Sequence, residues 1–249
     1  MTLSRSAFRC LAAAALVACA LPAVHAGEAE IRRNLAAQIP QFAKIDEVRK
    51  TPVDGLYEVR INNTEIYYAD EQGTYLLQGN LIDVQARKNL TEERVEKLSQ
   101  IDFDKLPLKD AFKIVRGNGK RQLAVFEDPN CGYCKQFERD LKNVDNVTVH
   151  LFLYPVLGPD STVKSRDIWC SKDKGKAWND WMTAGVRPET AAAGCDAAAL
   201  QRNTEFGRKH NITGTPTLIF GDGTRAPGAI PAAQVEKQLT AAAAAAPRR

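Results

Sequence analysis

Two cysteines with two residues between them, Cys131-Gly132-Tyr133-Cys134, sit at a joint that leaves few ways to fold. Before them runs the apolar stretch Gln122-Leu123-Ala124-Val125-Phe126, and after them Phe137, Leu141 and Val144 recur at a helical interval. A second apolar run, residues 147–154, then alternates and stops at Pro155. Strand, helix and strand so closely joined form a βαβ unit, which requires a parallel strand pair. The cysteines therefore fall at the first turn of the crossover helix.

Three chemistries use a C-x-x-C pair. A zinc site needs two further ligands, but Cys170 and Cys195 are not a second close pair, and His150 and His210 lack ligand spacing. No metal is expected. A structural disulfide across two residues closes so small a loop that it removes little unfolded-state entropy. Redox exchange fits better, since a helix N-terminus favours a thiolate. Cys131 is then the exposed attacking thiol of lowered pKa, and Cys134 the buried resolving one. Glu127, Asp128 and Lys135 are read as facing water. Downstream, Gly214-Thr215-Pro216-Thr217 puts a proline just before an apolar strand, residues 217–220, so Pro216 is either a strand-start proline or a cis one. A cis bond facing the thiols would offer backbone to an extended substrate chain.

The N-terminus points to export. Arg5 and Arg9 precede an uncharged apolar run, residues 10–24, too short and Ala-rich for a membrane span, and Val24-His25-Ala26 carries small residues at the cleavage positions. Residues 1–26 are read as a signal peptide cleaved after Ala26; the alternative is a lipobox, Leu16-Val17-Ala18-Cys19, that would leave Cys19 acylated. Cleavage takes the formal charge from +4 to +2 and leaves 249 − 26 = 223 residues. That balance implies no nucleic-acid or membrane partner, and the length suits two small domains. Four cysteines remain, an even number suited to two disulfides in an oxidising compartment.

Residues 27–88 read as a small antiparallel sheet behind one helix. Ile31, Leu35 and Ile39 mark a helix that Pro40 stops, and strands at 45–50, 56–61, 65–69 and 75–78 alternate with turn residues. So small a piece has little core of its own. Residues 73–84, GTYLLQGNLIDV, are apolar on both faces, consistent with pairing to a second copy or with a core strand inside one chain. Residues 89–105 read as a linker helix capped at Thr91-Glu92-Glu93, and residues 110–115 as a further helical run. Residues 106–240 form the second domain, with a mostly helical stretch at 160–207, and residues 241–249 read as a disordered tail. The class is thus α+β followed by α/β.

These residues resemble the periplasmic disulfide bond isomerases of the DsbC/DsbG family over nearly the whole chain. Gly132-Tyr133 resembles the isomerase branch, where the DsbG branch has Pro-Tyr and the DsbA oxidases usually have Pro-His with Val before the cis proline. The resemblance implies an N-terminal dimerisation domain that includes residues 73–84, and a thioredoxin-like catalytic domain with a helical insertion. It also implies a V-shaped homodimer in the periplasm and no cofactor. Cys131 and Cys134 would be catalytic, Gly132, Tyr133, Thr215 and Pro216 would bind substrate, and Cys170 and Cys195 would form a structural disulfide. Substrates would be misfolded disulfide-containing exported proteins, with chaperone capacity toward them, and the membrane protein DsbD would be the reductant. The alternatives on this scaffold are a DsbG-like chaperone or sulfenic-acid reductase and a DsbA-like dithiol oxidase. Thioredoxin has a buried aspartate six residues before its first cysteine; Val125 stands there in this chain, which implies slow deprotonation of Cys134 and a long-lived mixed disulfide.

Overall fold

The computed structural model describes the backbone of residues 24–245 and side chains from residue 27 onward. The signal and lipobox expectations, with Cys10 and Cys19, lie outside the described residues, and the expected cleavage point after Ala26 falls in the first turn of α1 (Val24–Gln38). The chain packs into two compact units that divide after Gly79.

In the first unit α1 is followed by a short turn, Pro40–Phe42, and four antiparallel strands in the order β1 (Glu47–Lys50), β2 (Leu56–Ile61), β3 (Glu65–Asp70) and β4 (Leu76–Leu77). Alternation along β2 sends Tyr57, Val59 and Ile61 to one face, where they meet Ile31 and Leu35 of α1 together with Phe42 and Val48. The 73–84 segment is not a core strand. β4 is two residues long, and Tyr75, Leu77, Ile82 and Val84 are all exposed.

The second unit begins with a two-stranded hairpin, β5 (Ile82–Asp83) and β6 (Lys88–Asn89), that leads into α2 (Leu90–Ser99). The cap of α2 is Asn89, whose side chain accepts the Glu92 N–H at 3.2 Å, while Thr91 accepts the Leu81 N–H instead. Residues 110–115 are not helical. After a single turn at Leu108–Asp110, Phe112–Arg116 form β7, antiparallel to β9 (Val147–Leu153). The reason is period two: Phe112 is buried and Ile114 half-buried against the core while Lys113 and Val115 are exposed, and β-branched Ile114 and Val115 suit a pleated surface.

β8 (Arg121–Glu127) and β9 are the parallel pair, joined by α3 (Gly132–Leu141). β10 (Thr217–Phe220) adds to β8 antiparallel, β11 (Arg225–Pro227) closes that edge, and the sheet order is β11-β10-β8-β9-β7. Leu123 and Val125 face α3 and α7 (Ala232–Ala245), meeting Phe137, Leu141, Val235 and Leu239. Ala124 and Phe126 face the other way. Residues 241–245 therefore continue α7 and bury Ala242 on the sheet, against the expectation of a disordered tail from residue 241. The helical insertion comprises α4 (Pro159–Trp169), α5 (Lys174–Asn179) with one wide turn at Asp180–Ala184, and α6 (Ala198–Lys209). Cys170 at the end of α4 and Cys195 ahead of α6 are joined by a disulfide, with their Cα atoms 6.2 Å apart.

Phe126 is fully buried, stacked on Phe152 at 4.4 Å and on Phe206 at 5.7 Å, with Tyr154 edge-on. Phe126→Ala is expected to lower unfolding free energy by about 3–5 kcal/mol, read as a drop in the urea midpoint with an unchanged slope.

Candidate active site

The site is built where β8 hands over to α3. Glu127, the last residue of the strand, and Asp128 just after it are wholly buried and do not face water. Asp128 holds the surrounding loops by accepting the N–H groups of Asn130, Val156 and Leu157 at 2.8, 2.8 and 2.9 Å and the Ser161 hydroxyl at 2.7 Å. Four donors satisfy a carboxylate that burial would otherwise penalise. Glu127 is inward by the same alternation that buries Leu123 and Val125. That alternation, visible in the sequence, was the signal that could have placed it. Val125 is aliphatic core as expected, but an acid two residues further on the same face is buried in its stead.

Cys131 caps α3: its sulfur accepts the Cys134 N–H at 3.2 Å. The same sulfur lies 3.3 Å from the carbonyl oxygen of Thr215, and the Thr215–Pro216 peptide bond is cis. Cys131 is 5% exposed, so it is not the open thiol the sequence suggested; turning inward to cap the helix and meet Thr215 is what covers it. Cys134 is fully buried, on the α3 stripe with Phe137, Glu138 and Leu141. Between them Gly132 is exposed and Tyr133 is 70% exposed. The two thiols are not joined.

Their electrostatics point in opposite directions. The Cys131 pKa is lowered to about 6, chiefly because the Cys134 thiol donates to the thiolate. Burial opposes this, while the Thr215 side chain and the N–H groups of Cys134 and Tyr133 act with it. The Cys134 thiol is pushed far up by burial first, then by its hydrogen bond to Cys131 and the charge of Glu127. Lys135 is engaged elsewhere, its ammonium 4.3 Å above the Trp181 ring, and Trp181 in turn donates to the Pro129 carbonyl at 2.6 Å. His150 and His210 stay apart from the thiols: His150 bonds Gln122 at 2.8 Å and His210 stacks on Phe206. Among the described residues no group of three or more His, Cys, Asp or Glu is placed to hold a metal ion.

A thiolate half-formed near pH 6 has a direct consequence. The alkylation rate of the reduced protein by iodoacetamide should reach half its plateau at about pH 6. Thr215→Val removes one hydrogen bond to the charged sulfur and should move that midpoint upward by as much as about one pH unit.

The thioredoxin-like domain family matches residues 108–243, and the disulfide bond isomerase protein N-terminal domain family matches residues 22–92. This chain is 50% identical over 209 residues to the probable thiol:disulfide interchange protein DsbC of Bordetella parapertussis, a match that covers 84% of this chain and 73% of that one. It is 28% identical over 221 residues to the thiol:disulfide interchange protein DsbC of Escherichia coli, covering 86% of this chain and 88% of that one. Among solved structures, a disulfide interchange protein from Neisseria gonorrhoeae is similar at a TM-score of 0.52 and 38% identity, over 55% of this chain and 97% of that one. With both halves matched and a half-identical relative spanning most of each chain, this protein belongs to the DsbC family of thiol:disulfide interchange proteins and is a disulfide oxidoreductase of thioredoxin-like fold.

Proposed function

We propose that this enzyme isomerises non-native disulfides in exported proteins, in the periplasm, through a mixed disulfide at Cys131. The observation that carries the reading is the environment of the Cys131 sulfur: it caps α3, touches Thr215 beside the cis proline, and titrates near pH 6. The Cys131 thiolate attacks a wrong disulfide in the client and displaces one client thiolate. That thiolate attacks elsewhere in the client and releases the enzyme unchanged. If the client stalls, Cys134 attacks Cys131, frees the client as a dithiol and leaves the enzyme oxidised, to be reduced again by DsbD. Exposed Gly132 and Tyr133, with Thr215 and Pro216 opposite, form the surface the client chain meets, and Val156 and Leu157 add apolar area beside it. This surface supports chaperone capacity, and the Cys170–Cys195 disulfide braces the helical insertion.

Refolding of a client with scrambled disulfides tests the reading. Wild type should restore native pairing, Cys131→Ser should abolish it, and Cys134→Ser should accumulate client-linked enzyme. Native pairing restored by Cys131→Ser at the wild-type rate overturns the proposal. In cells the pair should be held reduced; a fully oxidised pair would belong to an oxidase.

Dimerisation through the N-terminal domain, residues 27–88, is part of the same proposal. It is supported by the exposed apolar residues Tyr75, Leu77, Ile82 and Val84, which fall on one short segment. Replacing Leu77 and Val84 together by Arg should give a monomer in sedimentation velocity that still reduces small disulfides and isomerises clients poorly. A variant that sediments as wild type removes this segment from the interface.

A further inference from the structure

Beneath the two thiols lies a carboxyl group that the exchange scheme above leaves unused. Glu127, the last residue of β8, has no solvent exposure, and neither of its oxygens makes a hydrogen bond of normal geometry within the protein. A buried carboxyl without partners is costly, and such groups persist where they have work beyond packing. The titratable groups that act on it come from α3 and its cap: the Cys131 and Cys134 thiols and the Glu138 carboxyl. Glu138 is already engaged, accepting from the Trp178 indole of α5 at 2.9 Å and lying 3.7 Å from the Arg116 guanidinium of β7. Cys134 is therefore the neighbour whose proton has to move.

We propose that Glu127 is a catalytic residue that takes the Cys134 proton when a mixed disulfide is resolved and returns it when the pair is reduced. This rests on the exchange reading above. In resolution the Cys134 sulfur bonds to the Cys131 sulfur as its proton passes to the Glu127 carboxylate. The Cys131–client sulfur bond breaks, and its electron pair leaves on the client thiolate. The enzyme pair is oxidised and the client sulfur reduced, so nothing further is required. In the reverse direction an incoming thiolate bonds to Cys131, Cys134 departs as a thiolate, and protonated Glu127 supplies its proton.

The electrostatics fit this cycle. Burial, then the neighbouring Glu138 carboxyl, then the charge of Cys131 raise the Glu127 pKa well above its ordinary value, while the nearby Cys134 thiol lowers it. A base closer in strength to the thiol accepts its proton more readily. The Cys131 contribution vanishes once that sulfur is in a mixed disulfide, so the carboxylate form becomes easier to reach at the stage that needs it.

The test uses the full-length reduced protein and glutathione disulfide, with acid quenching and mass spectrometry to follow the glutathione adduct on Cys131. At about pH 8, where Cys131 is a thiolate, the adduct should form at the same rate in wild type and in Glu127→Gln. Its decay should be about 100-fold slower in Glu127→Gln and lose the carboxylate inflection of its pH profile, with part of both restored in Glu127→Asp. Equal decay rates and an unchanged profile overturn the proposal and leave Glu127 a structural residue. Absence of any adduct on Cys131 in Cys134→Ser, where no thiol can resolve it, overturns the exchange reading together with it. A measurement on wild type alone guards against a variant that fails to fold: the infrared difference between reduced and oxidised protein should contain a buried protonated-carboxyl band, and its absence counts against the proton cycle.

Discussion

The parallel pairing of β8 with β9 is the constraint from which the site follows. Seven residues are in register, from Arg121 opposite Val147 to Glu127 opposite Leu153, and the chain must cross over between them. The crossover is α3, so its N-terminus lies at the carboxyl end of β8, where four unpaired N–H groups need acceptors. A cysteine sulfur supplies one of them. Helix capping and thiolate stabilisation are thus the same contact, and a residue such as Ser in place of Cys131 would satisfy the helix and leave no thiolate there.

Burial divides the labour between the two thiols. One helical turn separates them, yet Cys131 sits at the rim with donors around it, while Cys134 is carried inward on the stripe that includes Phe137 and Leu141. The thiol that gives a hydrogen bond is held protonated by giving it, and the thiol that receives it is held ionised. The asymmetry therefore needs no cation beside the motif. Lys135, the nearest candidate in sequence, rests on the face of Trp181. On the other side of the motif, Asp128 holds Val156, Leu157 and, in the first turn of α4, Ser161 against the strand end.

Much of this was legible from residue pattern, and the failures share one cause. The strands at residues 56–61 and 217–220, the helix stopped by Pro40 and the parallel pair around the motif all follow from local periodicity. The six residues 110–115, with apolar side chains at 111, 112, 114 and 115, satisfy a helical period about as well as a strand; pairing with β9 decides between them. The Ala-rich end was misread because alanine declares no face until a sheet covers it, as Val235, Leu239 and Ala242 are covered. Glu127 and Asp128 were assigned to solvent by their charge, although strand alternation had already turned Glu127 inward.

What the sequence determined by itself was chemistry and order: two thiols at a helix start, a proline ahead of the strand at residues 217–220, a small domain before a larger one. Those are local properties, set by spacing and by the conformations that Cys, Gly and Pro allow. What only the tertiary structure decided was proximity. Thr215 is 84 positions from Cys131 and stands 3.3 Å from its sulfur because β10 pairs antiparallel with β8. Glu127 lies against Cys134 because α3 folds back over the strand that carries it. Acidity depends on such neighbours and on exclusion of water, and neither is written in the spacing of residues along a chain.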